Sequence, residues 1–199
     1  MLMTYQTSPI MRRMTLAFLQ VEAETAVAGP PVTPGFPPAI GLAVSACESA
    51  WWARETGKNN FFGITRPPAH PGDPLSAWCA TTEVITAAQL NAFRPDERAT
   101  AVQIGPNRYR MSRWFAAYPD LKAAVHAYVH LLIDASRYHP AWLGFQGNRD
   151  SDQFLKTVCA AGYATGPAFQ VELQIAHQQN ILQAVAAGRA ELLGNPQAA

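Results

Sequence analysis

The sequence has no excess of charge of either sign, no cysteine framework and no long uninterrupted apolar run. Lysine and arginine total 15 against 14 aspartates and glutamates, a formal net charge of +1 over 199 residues. The basic residues are scattered rather than gathered into a stripe that could neutralise a phosphate backbone, which excludes a nucleic-acid binder. Cys47, Cys79 and Cys159 are odd in number, far apart and form no C-x-x-C, which excludes a zinc knuckle and a dithiol redox motif. Buried thiols are the expected form, with a disulfide between two of them left open. The most apolar stretch, Phe36–Ala53, opens with prolines and is interrupted by Glu48, so no membrane span is expected. A Gly-rich phosphate loop, a G-x-S-x-G elbow and internal repeats are all missing. His126 and His130 stand four apart but lack the glutamate of H-E-x-x-H and a third ligand, so they read as a helix edge, and no metal or cofactor is expected.

Near the start, Arg12 and Arg13 precede "MTLAFLQV", as in a secretory leader. Glu22 and Glu24 follow at once, however, where a cleavage region should be small and neutral. The segment reads as a first amphipathic helix.

What is present is an ordinary globular composition, 49% hydrophobic, with sixteen prolines bunched around Gly29–Pro38 and Arg66–Pro74. A single domain over residues 1–193 with a frayed tail, 194–199, is expected. Five helices are predicted. The first runs over Met14–Ala28, and the second from Pro37 and Pro38 to about Arg54. A third follows "YPD", and a fourth, "DQFLKTVCAA", is capped by Asp150 or Ser151 and ends at Gly162. Pro167 opens the fifth, which Gly188 closes. Ile40, Val44, Cys47 and Trp51 recur at helical spacing with small and apolar residues between them, so the second helix should be central and buried. "SAWCATTEVIT" and "NRYRMSRWFAAY" read as partners in a small antiparallel hairpin, with a helical turn or a long loop between them. The fold class is mainly α (α+β).

Glu48 is the feature that calls for an explanation, because a carboxylate in so apolar a helix is costly unless it is paired or protonated. It either meets an arginine such as Arg54 or Arg110, or it holds a proton near neutrality and donates it, as the acid of sugar hydrolysis does. Such an acid needs a second group that stays negative or handles water. Glu83, on the predicted strand, is the candidate, with a solvated strand residue as the alternative. Trp51, Trp52 and the "NNFFGI" turn offer aromatic faces and amides suited to sugar rings, or they pack in the core. Tyr163, just past a helix end, either presents its hydroxyl to a cleft or packs under the loop.

Several pieces occur together: Glu48-Ser49-Ala50-Trp51 at a helix end, Asn59-Asn60-Phe61-Phe62-Gly63-Ile64, Thr81-Thr82-Glu83, an aromatic strand closing on Phe115 and Tyr118, and "AGYAT.P.F" from Ala161 to Phe169. In this order, from about Thr15 to Gln183, they resemble the glucosaminidase family of bacterial cell-wall hydrolases, glycoside hydrolase family 73. The resemblance implies a lysozyme-like helical bundle with a small antiparallel β lobe forming one wall of the cleft. It implies hydrolysis of the β-1,4 bond after N-acetylglucosamine in peptidoglycan, with glycan strands as partner, no nucleic acid and a monomer. Glu48 matches the general acid, Glu83 the second carboxylate and Tyr163 a tyrosine important for activity. Asn60, Phe62, Gly63 and Trp52 match substrate-binding positions. Where many relatives have "ESGWG" this chain has "ESAWW", so Ala50 and Trp52 replace glycines, and Ala87–Gly105 resembles an insertion. Glu97, within that insertion, is expected to be an innocent neighbour of Glu83. Whether Glu83 acts as base or the substrate's acetamido group acts as nucleophile stays open at this point, as do a muramidase, a lytic transglycosylase and a non-catalytic wall-binding or virion scaffold. Action on the wall, periplasmic or extracellular, without a recognisable signal peptide fits a phage lysin, a virion component or an exported effector.

Overall fold

The computed structural model describes residues 4–26, 35–163 and 168–194. In chain order the elements are α1 (Pro9–Thr25), α2 (Pro38–Glu48), β1 (Ser76–Val84), α3 (Ala87–Leu90), α4 (Pro95–Arg98), β2 (Val102–Gly105), β3 (Arg108–Ala116), α5 (Leu121–Asp134), α6 (His139–Asn148), α7 (Ser151–Ala160), α8 (Ala168–Ala176) and α9 (Gln179–Leu192). They form two compact units. One is helical, built from residues up to Arg54 and from Asp120 onward, and the other is the β unit, Glu55–Pro119.

The helical unit is organised around α2. Ile40, Leu42, Ala43, Val44 and Ala46 are almost wholly buried, as a helix apolar on nearly every side must be. The Phe18 side chain of α1 fills the space beside Gly41, where a Cβ would meet its ring at 2.2 Å. Phe18 stacks near Phe36 at 6.2 Å, and both meet Tyr128 of α5 edge-on, while Phe36 also meets Phe154 of α7. The segment with a leader-like pattern is α1, whose Met11, Met14, Ala17, Phe18, Leu19 and Val21 are core residues. Its expected end at Ala28 lies outside the described residues, as do Pro167 and residues 195–199 of the tail. Among the described residues no helix is long and apolar enough to cross a membrane.

Asp120 and Asp150 cap α5 and α7, accepting from the N–H groups of Ala123 and Gln153. Several boundaries differ from the sequence expectation, among them the start of α1 at Pro9 rather than Met14 and the run of α9 through Gly188 to Leu192. The fifth helix is two helices, because Gln178 is extended (ψ 140°) and starts α9 anew. The break lets Ile175 and Ala176 of α8 and Ile181 and Ala184 of α9 all be buried. The second helix stops at Glu48, six residues before Arg54, for a reason that belongs to the site.

In the β unit, β1 pairs antiparallel with β3 from Ser76↔Ala116 to Val84↔Arg108, and β2 adds to the far edge of β3 in the order β1-β3-β2. The predicted hairpin is therefore a three-stranded sheet. The insertion, Ala87–Gly105, holds α3, α4 and β2 rather than one turn or a bare loop. Beyond β2 the same edge of β3 is completed piecewise. The N–H of Ser112 donates to Thr100 Oγ1 (2.8 Å), that of Trp114 to Glu97 Oε1 (3.1 Å), and that of Ala116 to the Ile64 carbonyl (2.8 Å). Every such donor needs a partner, and the insertion supplies two of them.

Candidate active site

The end of α2 is built by a run of left-handed residues. Ala50, Trp51 and Trp52 have φ of 51°, 59° and 60°. Each such residue costs an L-amino acid roughly 1–2 kcal/mol. The turn survives because its donors are satisfied. Trp51 N–H reaches the Ala46 carbonyl at 2.7 Å and Trp52 N–H reaches Ser49 Oγ at 2.8 Å. The Trp52 indole donates to Ser45 Oγ at 3.0 Å. Trp52 is buried by this arrangement, so it packs as a core side chain rather than offering a face to a sugar; the sequence reading of it as a binding residue is corrected on that ground.

Because the helix ends there, Glu48 is exposed. The expectation of a buried carboxylate is not met, and its burial cannot be what holds a proton on it. What surrounds Glu48 is nonetheless unusual. Its charge bears on Cys47 beside it, Tyr128 of α5, Cys159 of α7, Tyr163 and Glu172 of α8. All five are acids. Burial, reinforced by Glu172, pushes the Cys47 thiol up, and burial with the same carboxyl pushes Cys159 up to about 12. The Tyr128 phenol, wholly buried, lies far above its ordinary value for the same causes. The three cysteines are free thiols, of which Cys159 is buried and Cys47 and Cys79 half-buried.

Tyr163 is half-buried, its ring edge-on to Tyr128 at 5.9 Å and to Tyr138 at 6.0 Å. Desolvation first, then Tyr128 and the charge of Glu48, keep its phenol well above the usual value. The structure thus brings Tyr163 and Glu48 into one acidic cluster. The rest of that motif, residues 164–167, lies outside the described residues.

Glu172 did not stand out in the sequence. It is wholly buried, its Oε2 accepts a weak hydrogen bond from the Cys159 thiol at 3.7 Å, and no donor among the described residues reaches Oε1. Desolvation, with the charge of Glu48 second, raises its carboxyl from 4.5 to about 7. A signal was available: Glu172 stands three and four residues before Ile175 and Ala176, on the face that α8 buries, whereas Val171 is 47% exposed.

In the β unit, Glu83 is half-buried rather than solvated. Its Oε1 accepts from the Arg113 guanidinium at 3.0 Å, which fixes the carboxylate's direction. Arg113 also lies 3.8 Å from Glu97 and over the Phe93 ring at 4.4 Å. Glu97 is 4% exposed and holds the Trp114 amide, so it is a structural residue and not an innocent neighbour of Glu83.

Asn60 is 1% exposed. Its amide donates to the carbonyls of Ile64 (2.8 Å) and Ala116 (3.0 Å), and its oxygen accepts from the N–H groups of Phe62 and Ile64. In this structure Asn60 acts by holding the loop. Gly63 has φ 65°, which a side chain would resist, and Phe62 is buried. On the same unit, Trp78 and Trp114 face each other across β1 and β3 with ring centroids 4.8 Å apart, and Trp78 is 39% exposed. Beside Trp114 a hollow of about 570 Å³ is lined by Pro68, His70, Pro71, Asp73 and Ser76 among others. The helix-edge histidines behave as expected: His130 Nδ1 lies 2.8 Å from Asp134, and His126 lies 4.0 Å from Glu24.

A family model for glucosaminidases, described as mannosyl-glycoprotein endo-β-N-acetylglucosaminidase, matches residues 33–182. The chain belongs to the glucosaminidase family. This is glycoside hydrolase family 73. Solved structures agree on the fold. A mutant peptidoglycan hydrolase from Sphingomonas sp. A1 superposes with a TM-score of 0.61 at 17% identity, covering 90% of this chain and 99% of that one. The catalytic domain of the autolysin Auto from Listeria monocytogenes gives 0.56 at 19%, covering 89% of each chain. A C-terminally truncated glycoside hydrolase domain of FlgJ from Salmonella typhimurium gives 0.53 at 20%, covering 83% and 92%. No curated protein sequence matches the chain. The glucosaminidase fold, many helices with a small antiparallel sheet, is the class read from the sequence.

Proposed function

We propose that this glucosaminidase-family chain is a peptidoglycan hydrolase that cleaves the β-1,4 bond after N-acetylglucosamine. Glu48 is the general acid that protonates the leaving oxygen. Glu83 is the second carboxylate, and Tyr163 is the hydroxyl that steadies charge at the scissile sugar. The observation that carries the reading is Glu48 at the strained end of α2, in an acidic cluster with Tyr163, inside the span that matches the family. The left-handed turn is consistent with this, since strain is retained where a geometry is used. Arg113 holds Glu83 oriented, as a carboxylate meant for a fixed task requires. Asn60, Phe62 and Gly63 serve the substrate through the loop shape that they impose. The similar proteins of known structure include enzymes titled peptidoglycan hydrolase and autolysin, which supports the cell wall as substrate and a site of action outside the cytoplasmic membrane.

Mass spectrometry of purified peptidoglycan after digestion tests the bond. The reading requires new reducing-end N-acetylglucosamine. Reducing-end muramic acid would make the chain a muramidase, anhydromuramic ends a lytic transglycosylase, and the absence of any new end a scaffold.

A further inference from the structure

We propose that the exposed face of the β sheet is a second glycan-binding surface, which takes a peptidoglycan strand. Sugar rings lie on Trp78 and Trp114, and the carboxylates of the strand's peptide stems pair with Arg108 and Arg110. The inference rests on the reading of the cell wall as substrate.

Strand alternation separates this surface from Glu83. The register of β1 with β3 runs without a break from Ser76↔Ala116 to Val84↔Arg108, so Trp78 and Glu83, five positions apart, lie on opposite faces. The Glu83 face also carries Tyr109, Met111 and Phe115, all buried, and is the inside of the β unit. The other face carries Trp78 opposite Trp114, then Arg110 and Arg108, and leaves Val84 of β1 and Val102 of β2 exposed. A cross-strand pair that only held the sheet together would gain most by being buried. Trp78 is exposed instead, beside other exposed apolar side chains, as on a surface that meets a partner.

The shape suits sugars, whose rings pack an apolar side on aromatics while their hydroxyls need polar groups close by. Trp114 is pinned, its indole N–H donating to Asp96 Oδ2 at 2.9 Å. It forms a wall of the hollow of about 570 Å³, to which Ser76 and His70 add polar groups and Pro68 and Pro71 stiff backbone. Asp73 fixes the loop of this hollow, accepting from the N–H groups of Ala69 and Leu75 at 3.0 Å each and from Arg66 at 2.8 Å. Charge then selects among glycans. The salt bridges of the β unit use other arginines: Arg66 with Asp73, Arg94 with Asp96, and Arg113 with Glu83 and Glu97. Arg108 and Arg110 are exposed, and among the described residues no carboxylate pairs with either. They suit a glycan that brings its own carboxylates, as a peptide-bearing wall strand does. Arg110 and Trp114 are four residues apart on β3, about 13 Å at about 3.3 Å per residue. A single sugar does not span that distance, whereas a strand does.

The test is co-sedimentation with purified peptidoglycan sacculi, every protein carrying Glu48→Gln so that the wall stays intact. Trp78→Ala should bind roughly tenfold more weakly than its parent, the loss expected for one aromatic contact. Arg108→Gln combined with Arg110→Gln should weaken binding about threefold at low salt and flatten its salt dependence, because exposed ion pairs are weak and screened. A folded Trp78 variant that binds like its parent would overturn the surface, and an arginine variant that does so would overturn the pairing with carboxylates. A Trp78-dependent dimer in sedimentation velocity, with wall binding unchanged, would give the face to a second copy of the chain and overturn the glycan. If Trp78→Ala does not fold, the arginine variant decides: a salt dependence equal to the parent's overturns the proposal. Failure of the underlying reading looks different. Wild type would then release no new reducing ends from the same walls, while weaker sedimentation of Trp78→Ala would still support the surface.

Discussion

Burial of the Glu172 carboxyl leaves a mark on the stability of the protein. The perturbation is Glu172→Gln, and the observable is unfolding free energy as a function of pH. In the folded state the carboxyl titrates at about 7 because burial and the charge of Glu48 disfavour its anion, against 4.5 for the unconstrained group. Between those values the folded state holds a proton that the unfolded chain has released. Stability therefore falls as pH rises through this window, is fully present below 4.5, and has nothing further to lose above about 7. The span corresponds to about 3 kcal/mol at about 1.4 kcal/mol per pH unit. For a chain of this size that is a change in Tm of about 6–12 °C. Urea unfolding at pH 5 and pH 8 measures it. Wild type should lose about 2–3 kcal/mol more than Glu172→Gln between the two conditions, since the titrating groups not coupled to Glu172 are common to both and cancel. Equal losses in the two proteins would refute the claim that a buried, uncompensated carboxyl sits on α8.

Three further substitutions probe other parts of the account. Ala50→Gly relieves a left-handed residue and should raise stability by about 1 kcal/mol in thermal unfolding; a loss would show that the Ala50 side chain contributes packing. Glu97→Gln should lower stability by about 1–3 kcal/mol, because it removes the charge facing Arg113 beside the Trp114 amide, whereas Glu83→Gln should lower activity more than stability; unfolding curves and hydrolysis rates together separate the two, and a Glu97 variant as stable as wild type would contradict the edge-completing role. Tyr163→Phe should lower turnover about 100-fold or more with little change in KM if its hydroxyl acts on the transition state, and an unchanged rate would leave Tyr163 as a packing residue.

What was legible in the sequence follows from how locally each feature is encoded. The caps Asp120 and Asp150 act on residues three positions away, so α5 and α7 could be placed closely. The β1 and β3 segments carried their own strand signal, and their pairing needed no further information. By contrast α6, with Gly144 and Gly147 inside it, has weak intrinsic helicity and exists because Ala141, Trp142 and Phe145 pack inward, largely against α7. The short elements α4 and β2 are held by hydrogen bonds to β3 that no local pattern announces.

The site divides in the same way. Glu48 and Tyr163 could be found from the sequence and fall in one cluster, but the assumed cause, burial of Glu48, was wrong because α2 ends on it. Apolar composition continues through Trp52, and nothing in it reveals three consecutive left-handed residues. Glu172 escaped notice because "VELQIAHQQN" mixes polar and apolar residues, and only its phase relative to Ile175 and Ala176 marks it as inward-facing. Arg113 escaped for a different reason: its partners Glu83 and Glu97 are brought to it by the sheet and by the insertion, 30 and 16 residues away in sequence.

The central claim is that Glu48 delivers the proton in glycan hydrolysis. Its most direct test is the release of soluble reducing ends from purified peptidoglycan by wild type and by Glu48→Gln, with circular dichroism to establish that both are folded. The amide occupies the same volume at the end of α2 and has no proton to give at working pH. Wild type should release N-acetylglucosamine reducing ends and folded Glu48→Gln should release essentially none; comparable release by the two proteins would contradict the account.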